Sequence, residues 1–510
     1  MTIASDLPTQ RLSRATGRLP LYVLFALACT GAVIGTLVGF GLYVTKLTYV
    51  ALLPFGLALL VPALILKNFR LYWFAIFLFS LQFVVTKNLN DGLAVLSELQ
   101  IDADIATFTF DITASDLVLL VLVAIWANDS IYHRQRMHFP PVAWLAFAYL
   151  GACVLSLVGS KYPYLGLVGL VQIFKFVIAF IFALNCLRSK RSLRALAVLA
   201  VIIVVTQATV VVGRFLTGYM MPLSLSSTHQ DLDEITQYLA MDRTDPNSIV
   251  RSFGTLGSPD ATTRLATLMI PFSLFLCVRN SMFGARLVFA AAVIFGISGL
   301  ALTFTRAFYI TVTFQVALTF CIMVRDDMLS RRQALMGVLL GLVLIGAAAP
   351  KLYEQFTLRP DSVSVRFLQY EATLRMIRDH PFFGVGLNNG TAAKINYNEF
   401  TFNPNDPNTQ FDKEPTNDLY LSLTSEVGIV GALIFFGFFG RVMFLSWREA
   451  RRSSDPEIRL VANALFVSLC GLAAAGLINP VLDYQVLMLL WLFAGISLNL
   501  SKLSQESDET

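Results

Sequence analysis

Charge is what this 510-residue chain has least of: only 14% of its residues are Asp, Glu, Lys or Arg, against about 25% in an ordinary soluble domain. With 56% hydrophobic residues, 41 phenylalanines and a mean hydropathy of +0.68, the balance excludes a soluble globular enzyme. Histidine is also scarce, with four in all. No Ser-His-acid arrangement can be assembled from them, and no metal-ligand spacing occurs among the His and Cys residues. Cys29, Cys153, Cys186, Cys277, Cys321 and Cys470 all lie inside apolar runs. They form no disulfide framework and are expected to act as small buried hydrophobes. The formal net charge of +5 comes from basic residues spread over many short connections rather than gathered in a patch, so nucleic acid is not an expected partner.

What the chain has is long apolar runs. A helix needs about 20 apolar residues to cross a bilayer. Such runs cover 19–44, 47–66, 71–85, 112–126, 141–158, 165–187 and 193–216, then 261–278, 287–304, 307–324 and 334–349, and finally 419–446, 460–478 and 486–500. That makes fourteen spans, or twelve or thirteen if the short third and fourth do not cross. The expected fold is an all-α polytopic membrane protein. The first run lacks a small-residue cleavage site and is followed at once by another, so it is expected to be a retained helix rather than a signal peptide.

Basic residues orient these spans, because cytoplasmic loops carry the excess of Lys and Arg. With the N-terminus inside, Arg11, Arg14, Arg18 and the connections 67–70, 134–136, 188–194, 279–286, 325–332 and 448–459 are all cytoplasmic. The opposite short connections offer only Lys46, Lys161 and Arg306, with an acidic loop holding Asp91, Glu98, Asp102, Asp104 and Asp111. Both termini are then cytoplasmic, and the polar chemistry is external.

Two external segments exceed ordinary loop length, and such loops are commonly functional. The first, 217–260, carries Asp231, Asp233 and Glu234 and ends in Arg251-Ser-Phe-Gly-Thr-Leu-Gly-Ser-Pro-Asp260. The second, 351–418, opens with an expected amphipathic helix over 361–380, with Phe367, Tyr370, Leu374 and Ile377 on one face. Glu371 precedes Arg375 by one turn, and Pro381 ends the helix before a Gly384–Gly390 turn.

External arginines are the candidate ligand contacts. Arg306 stands between two apolar runs with almost no polar loop around it; it either binds a ligand or snorkels to the headgroups. Arg251 and Arg264 flank a Gly-rich turn ahead of a span, which suits either an anion or an ordinary helix cap. Arg366 has no acidic residue one turn away on its C-terminal side, whereas Arg375 faces Glu371. A rigid guanidinium fork matches phosphate oxygens, and a lipid pyrophosphate is the expected ligand. Proton transfer would fall to a carboxylate, to His380 or His229, or to groups of the substrate. Asp412, Glu414, Asp418 and Glu426 are nearest the last long span, and Glu426 stands inside an otherwise apolar helix.

Several stretches resemble the O-antigen ligase and polymerase superfamily. Arg251-Ser-Phe-Gly-Thr-Leu-Gly-Ser-Pro-Asp260 looks like one of its signatures, and Thr305-Arg306-Ala307 is similar to its arginine motif. Arg366, with Met376-Ile377-Arg378-Asp379-His380-Pro381-Phe382-Phe383-Gly384-Val385-Gly386, resembles the stretch in its large periplasmic loop. Thr416-Asn417-Asp418-Leu419-Tyr420-Leu421 and Glu426-Val427-Gly428-Ile429-Val430-Gly431 resemble its His-Asn motif and following helix.

The resemblance implies an inner-membrane enzyme that takes a glycan from undecaprenyl pyrophosphate on the periplasmic face, without metal or other cofactor. Its partners would be the lipid-linked oligosaccharide, membrane lipid, and also a chain-length regulator and a flippase. Arg251, Arg306 and Arg366 would hold the pyrophosphate, with Arg264, Thr416 and Asn417 near it. Asp418, Glu426 and His380 are the candidates for the proton. Ligases place a His where this chain has Thr416, and Thr is no general base near neutral pH. That departure favours a polymerase of an exopolysaccharide or O-antigen over a ligase acting on lipid A-core, or over a flippase of lipid-linked sugars. The expected organisation is an N-terminal bundle (1–216), a periplasmic loop (217–260), helices carrying the arginine motif (261–350), the large periplasmic loop (351–418) and C-terminal helices (419–510).

Overall fold

The computed structural model describes residues 69–83, 85–88, 111–132, 137–217, 225–226, 251–279, 283–333, 337, 361–394, 396–397, 416–480 and 483–508. The expected spans at 19–44, 47–66 and, save Gly337, 334–349 lie outside them. So do Arg11, Arg14, Arg18, Lys46, Lys67, Arg134, Arg136, His133, His229, Asp231, Asp233, Glu234, Asp412, Glu414, Cys29 and most of the acidic loop.

The described chain is helical almost throughout. In order come α1 (Phe69–Ser80), α2 (Ala114–Tyr132), α3 (Ala143–Ser156), α4 (Pro163–Cys186) and α5 (Lys190–Thr217), then α6 (Pro259–Arg279), α7 (Phe283–Ala301) and α8 (Arg306–Arg325). The large loop holds α9 (Asp361–Asp379) and the short α10 (Gly390–Lys394), followed by α11 (Leu419–Arg452), α12 (Pro456–Gly476) and α13 (Tyr484–Asp508). Among the described residues, nine helices are long and apolar enough to cross a membrane: α2, α4 to α8 and α11 to α13. A small sheet pairs β1 (Val85–Asn88) antiparallel with β2 (Asp111–Thr113) and parallel with β3 (Leu225–Ser226). The chain is an all-α polytopic membrane protein with this sheet as its one extended part among the described residues.

Aromatic packing centres the bundle. Trp491 of α13 is 1% exposed and meets Tyr149, Phe180, Phe438 and Phe439 at ring-centroid distances of 6.1, 6.1, 5.5 and 5.6 Å. Rings from α3, α4 and α11 thus close on one residue, giving contact energy beyond simple area burial. Of the five described cysteines only Cys153 is buried, while Cys321 is exposed on α8. The expectation of uniformly buried thiols fails because the outer face of a spanning helix meets lipid, where an apolar side chain needs no protein cover.

The basic connections gather at one end. Lys190 pairs with Asp455 at 2.5 Å, Arg194 pairs with Glu457, and Asn463 donates to Asp326 at 3.3 Å. The α4–α5 and α11–α12 connections and the C-terminus of α8 therefore meet. Arg306 opens α8 and Asp326 follows its last residue, so the two ends of the bundle stand about 30 Å apart along that helix, matching a hydrocarbon core. Impermeant thiol reagents applied from outside are expected to label Arg375→Cys and leave Arg451→Cys unlabelled in a cysteine-free background. Labelling at Arg451→Cys alone would invert the orientation.

At the basic end Asp455 caps α12, accepting from the N–H groups of Glu457 (2.7 Å) and Ile458 (3.2 Å). Burial alone would raise its carboxyl. The Lys190 ammonium and those N–H groups outweigh it and hold the value at about 2. A depressed carboxylate contributes stability above its unfolded value, about 3.9, and the contribution is lost as pH falls through about 2. Thermal unfolding between pH 5 and pH 2 should therefore show a loss in wild type that is reduced in Asp455→Asn.

The amphipathic helix expected over 361–380 is present as α9, and its apolar face is not the one turned inward. On α9 the residues turned inward are Gln369, Ala372, Thr373 and Met376, while Phe367 and Leu374 are 67% and 53% exposed. Where α9 meets the 416–418 segment the surface is polar: Thr373 shares a 2.7 Å hydrogen bond with Thr416, Asn417 donates to Gln369 at 3.0 Å, and the Tyr370 hydroxyl donates to the Asn417 carbonyl at 3.1 Å, while Met376 packs with Val385 and Ala393. A polar partner selects the polar, small face of the helix. The expected Arg375–Glu371 pair is present at 2.8 Å.

Candidate functional site

At the end opposite the basic connections, three helix starts and one tight turn bring charges together. After Leu302 the chain turns through Phe304, held at a φ of 50°, and Thr305 then leads into α8 with Arg306 as its first residue. Arg251 braces this turn. Its Nε donates to the Thr303 carbonyl (3.3 Å), and its Nη2 donates to the Thr305 hydroxyl (3.0 Å) and to Asp260 (3.2 Å) in the first turn of α6. These contacts use three of the five guanidinium N–H groups, and the two on Nη1 have no hydrogen-bond partner among the described residues. Half-buried Arg306 stands one residue beyond the Thr305 that Arg251 holds.

One turn further into α6, Arg264 grips Asp483 with both Nε and Nη2, the latter at 2.9 Å. Asp483 immediately precedes α13. Arg251, Asp260, Arg264 and Asp483 therefore form an alternating line of charges that fixes the starts of α6 and α13. Arg264, predicted as a phosphate contact, is committed to Asp483, with side-chain exposures of 11% and 17%.

Arg366 joins a second group. Its Nη1 lies 3.5 Å from the Ile478 carbonyl, just past α12, and its charge acts on Tyr370 together with that of Asp418. Thr416, Asn417 and Asp418 lie against α9 through the contacts already described. Asp418 is 9% exposed and caps α11, its carboxylate accepting from the Leu421 N–H at 2.8 Å. Burial raises this carboxyl, against the pull of the Leu421 and Tyr420 N–H groups. The two groups meet along the α12–α13 connection, where Ile478 carries one and Asp483 the other. The structure thus brings Arg251 against the turn that precedes Arg306, and places Arg366 near the start of the α12–α13 connection whose end carries Asp483.

Glu426 sits elsewhere. Its carboxylate accepts from the Asn388 N–H at 3.0 Å and also from the Gly390 N–H. Around it, Val385 donates to the Ser425 carbonyl (2.9 Å), Gly386 to the Glu426 carbonyl (3.0 Å) and Ile429 to the Pro381 carbonyl (2.8 Å). The Pro381–Gly390 turn is thereby stitched onto a break in α11 at Gly428. His380 is exposed at the end of α9, its main chain starting that turn.

Sequence reasoning passed over a half-buried ion pair beside this region. Lys175 pairs with Asp116 at 2.7 Å, Asp116 also takes the hydroxyl of Tyr484, and the Lys175 ammonium lies 5.4 Å from the Tyr484 ring centre. Lys175 stands about 18 Å down α4 from its first residue. A lysine at that depth in an apolar run was the available signal, since intramembrane charges are costly unless paired. Asp483 gave no such signal, because a lone acid in a connection reads as solvated. Among the described residues no three His, Cys, Asp or Glu side chains gather as metal ligands.

Chemically, the arrangement offers fixed guanidinium groups at a membrane edge, with hydroxyls and carboxylates beside them. It suits an anion whose charge grows as a bond breaks. A search of curated proteins returned no match. Residues 260–436 match the family model described as O-Antigen ligase, a segment from the first turn of α6 into α11. It contains Arg264, Arg306, Arg366, Thr416, Asp418 and Glu426, with Arg251 just ahead of it. Over this segment, about a third of its length, the chain is similar to the O-Antigen ligase family.

Proposed function

We propose that this protein polymerises an exopolysaccharide or O-antigen at the periplasmic face of the bacterial inner membrane, using repeat units linked to undecaprenyl pyrophosphate. The observation that carries this reading is the bracing of the Thr303–Thr305 turn by Arg251, which holds one arginine against the turn that leads into Arg306, at the bundle end opposite the basic connections. In the reaction an acceptor-sugar hydroxyl oxygen bonds to the anomeric carbon, the bond from that carbon to the pyrophosphate oxygen breaks, and the hydroxyl proton leaves. Arg306 and the Nη1 group of Arg251 would take up the charge developing on the pyrophosphate, with Arg366 on the acceptor side of the α12–α13 connection. A site between spans suits a leaving group that stays anchored in lipid.

Thr416 supports polymerase over ligase, because the ligase His has no counterpart at that position. The proton is assigned to Asp418, whose burial-raised carboxyl lies two residues away. Glu426 is occupied by loop N–H groups, and His380 is exposed. Asp418 also caps α11, and Asp418→Asn separates the two jobs, since Asn caps about as well but takes no proton. Chain growth in a normally folded Asp418→Asn protein should fall about 10²-fold or more; an unchanged rate would leave only the cap.

The purified protein, given lipid-linked repeat units alone, should produce a ladder of longer glycans. Product only when lipid A-core is added would mean a ligase. Movement of the lipid-linked unit across the bilayer without bond formation would mean a transporter.

A further inference from the structure

The turn that carries Arg251 is held from beneath by α5, a helix outside the matched segment and outside every motif named above. Arg214, in the last turn of α5, is only 5% exposed. Its Nη1 donates to the carbonyls of Phe253 (2.8 Å) and Gly254 (2.6 Å), and the guanidinium lies 4.1 Å from the Phe253 ring centre. Two turns back on the same face, Gln207 donates to the Thr255 hydroxyl at 2.6 Å and accepts from the Thr255 N–H at 3.0 Å. The Gly254 N–H donates to the Thr262 hydroxyl of α6 at 2.9 Å. A Cβ at Gly254 would stand 1.9 Å from Gln207 Oε1, so a larger residue there would displace the amide that holds Thr255. Both carbonyls and both N–H groups of this short stretch are therefore fixed.

We infer that Arg214 is a positioning residue for the anion site, acting through the Phe253–Gly254 carbonyls on Arg251, and through Arg251 on the turn that launches Arg306. The inference rests on the pyrophosphate reading above and adds a residue that touches no substrate. The requirement is geometric. Arg251 has three of its five N–H groups anchored, so a shift of its main chain either breaks those anchors or swings the Nη1 pair away from the ligand. Arg214 suits the task because one planar group can bond two carbonyls and stack on Phe253 together. A lysine would keep the charge and lose the stack.

The test uses the full chain in nanodiscs and measures the affinity of inorganic pyrophosphate by calorimetry, with circular dichroism reporting folding. Arg214→Met is expected to weaken pyrophosphate binding about tenfold, and Arg214→Lys to recover part of that loss. In an Arg251→Ala background Arg214→Met should change the affinity no further, because its effect passes through Arg251. Wild-type affinity in folded Arg214→Met, or losses that simply add in the double variant, would overturn the inference. If Arg214→Met does not fold, Arg214→Lys carries the same comparison with Arg251→Ala, and full affinity in Arg214→Lys overturns it. No pyrophosphate binding by wild type would instead sink the pyrophosphate reading itself, and this inference with it.

Discussion

Arg306→Ala is expected to abolish glycan transfer in a protein that still folds. The Ala variant removes the first-turn guanidinium of α8 and leaves in place the contacts of Arg251 with Thr303 and Thr305 that brace the turn before it. Loss of one fixed donor to a developing oxyanion in a dry site costs about 10²- to 10³-fold in rate. Arg306→Lys should restore only part of the activity, because an ammonium lacks the bidentate fork. Full activity in Arg306→Ala would return the residue to a snorkelling role. Arg251→Ala should differ in kind, losing activity and loosening the turn together, visible as a lower unfolding midpoint alongside the lost rate.

The largest effect on folding should come from Gly428→Ala. Gly428 interrupts α11 at φ 72° and ψ 176°, a region that is nearly glycine-only. A Cβ there would stand 2.1 Å from the Phe382 carbonyl oxygen, and across the same contact a Cβ on Gly384 would stand 2.4 Å from the Glu426 carbonyl oxygen. These neighbours are main chain, so no side chain can swing aside. Backbone strain and displacement together should cost on the order of 3 kcal/mol or more. Gly428→Ala should therefore release the Pro381–Gly390 turn from α11, read as new protease cleavage near Asn388 and a lower yield of folded protein. Wild-type protease resistance would show that the turn docks by other contacts.

Much of the fold was legible in the sequence because membrane helices advertise themselves: the apolar lengths that mark α4 to α8 and α11 to α13 need no partner to be recognised. The arginine site was legible only in part. Arg306 stood out as a charge between apolar runs. That Arg251 braces the Thr303–Thr305 turn, across more than 50 residues of sequence, is a tertiary fact that no local pattern carries. Asp483, which engages Arg264, looked like any loop acid. Which face of α9 docks was not legible, because spacing reports where apolar residues lie, whereas the docking surface at Thr416 and Asn417 is polar. Glu426 was rightly marked as expensive, but its purpose is visible only once the Asn388 and Gly390 N–H groups are seen against it.

The central claim is that bond formation occurs at the Arg251–Arg306 site with a pyrophosphate lipid as the leaving group. It is tested most directly by counting products: purified protein is incubated with lipid-linked repeat units, and free undecaprenyl pyrophosphate is quantified against new glycosidic linkages. One pyrophosphate lipid released per linkage, in wild type and not in Arg306→Ala, is the predicted result. Linkages formed without that release, or release that persists at the wild-type rate in Arg306→Ala, would contradict it.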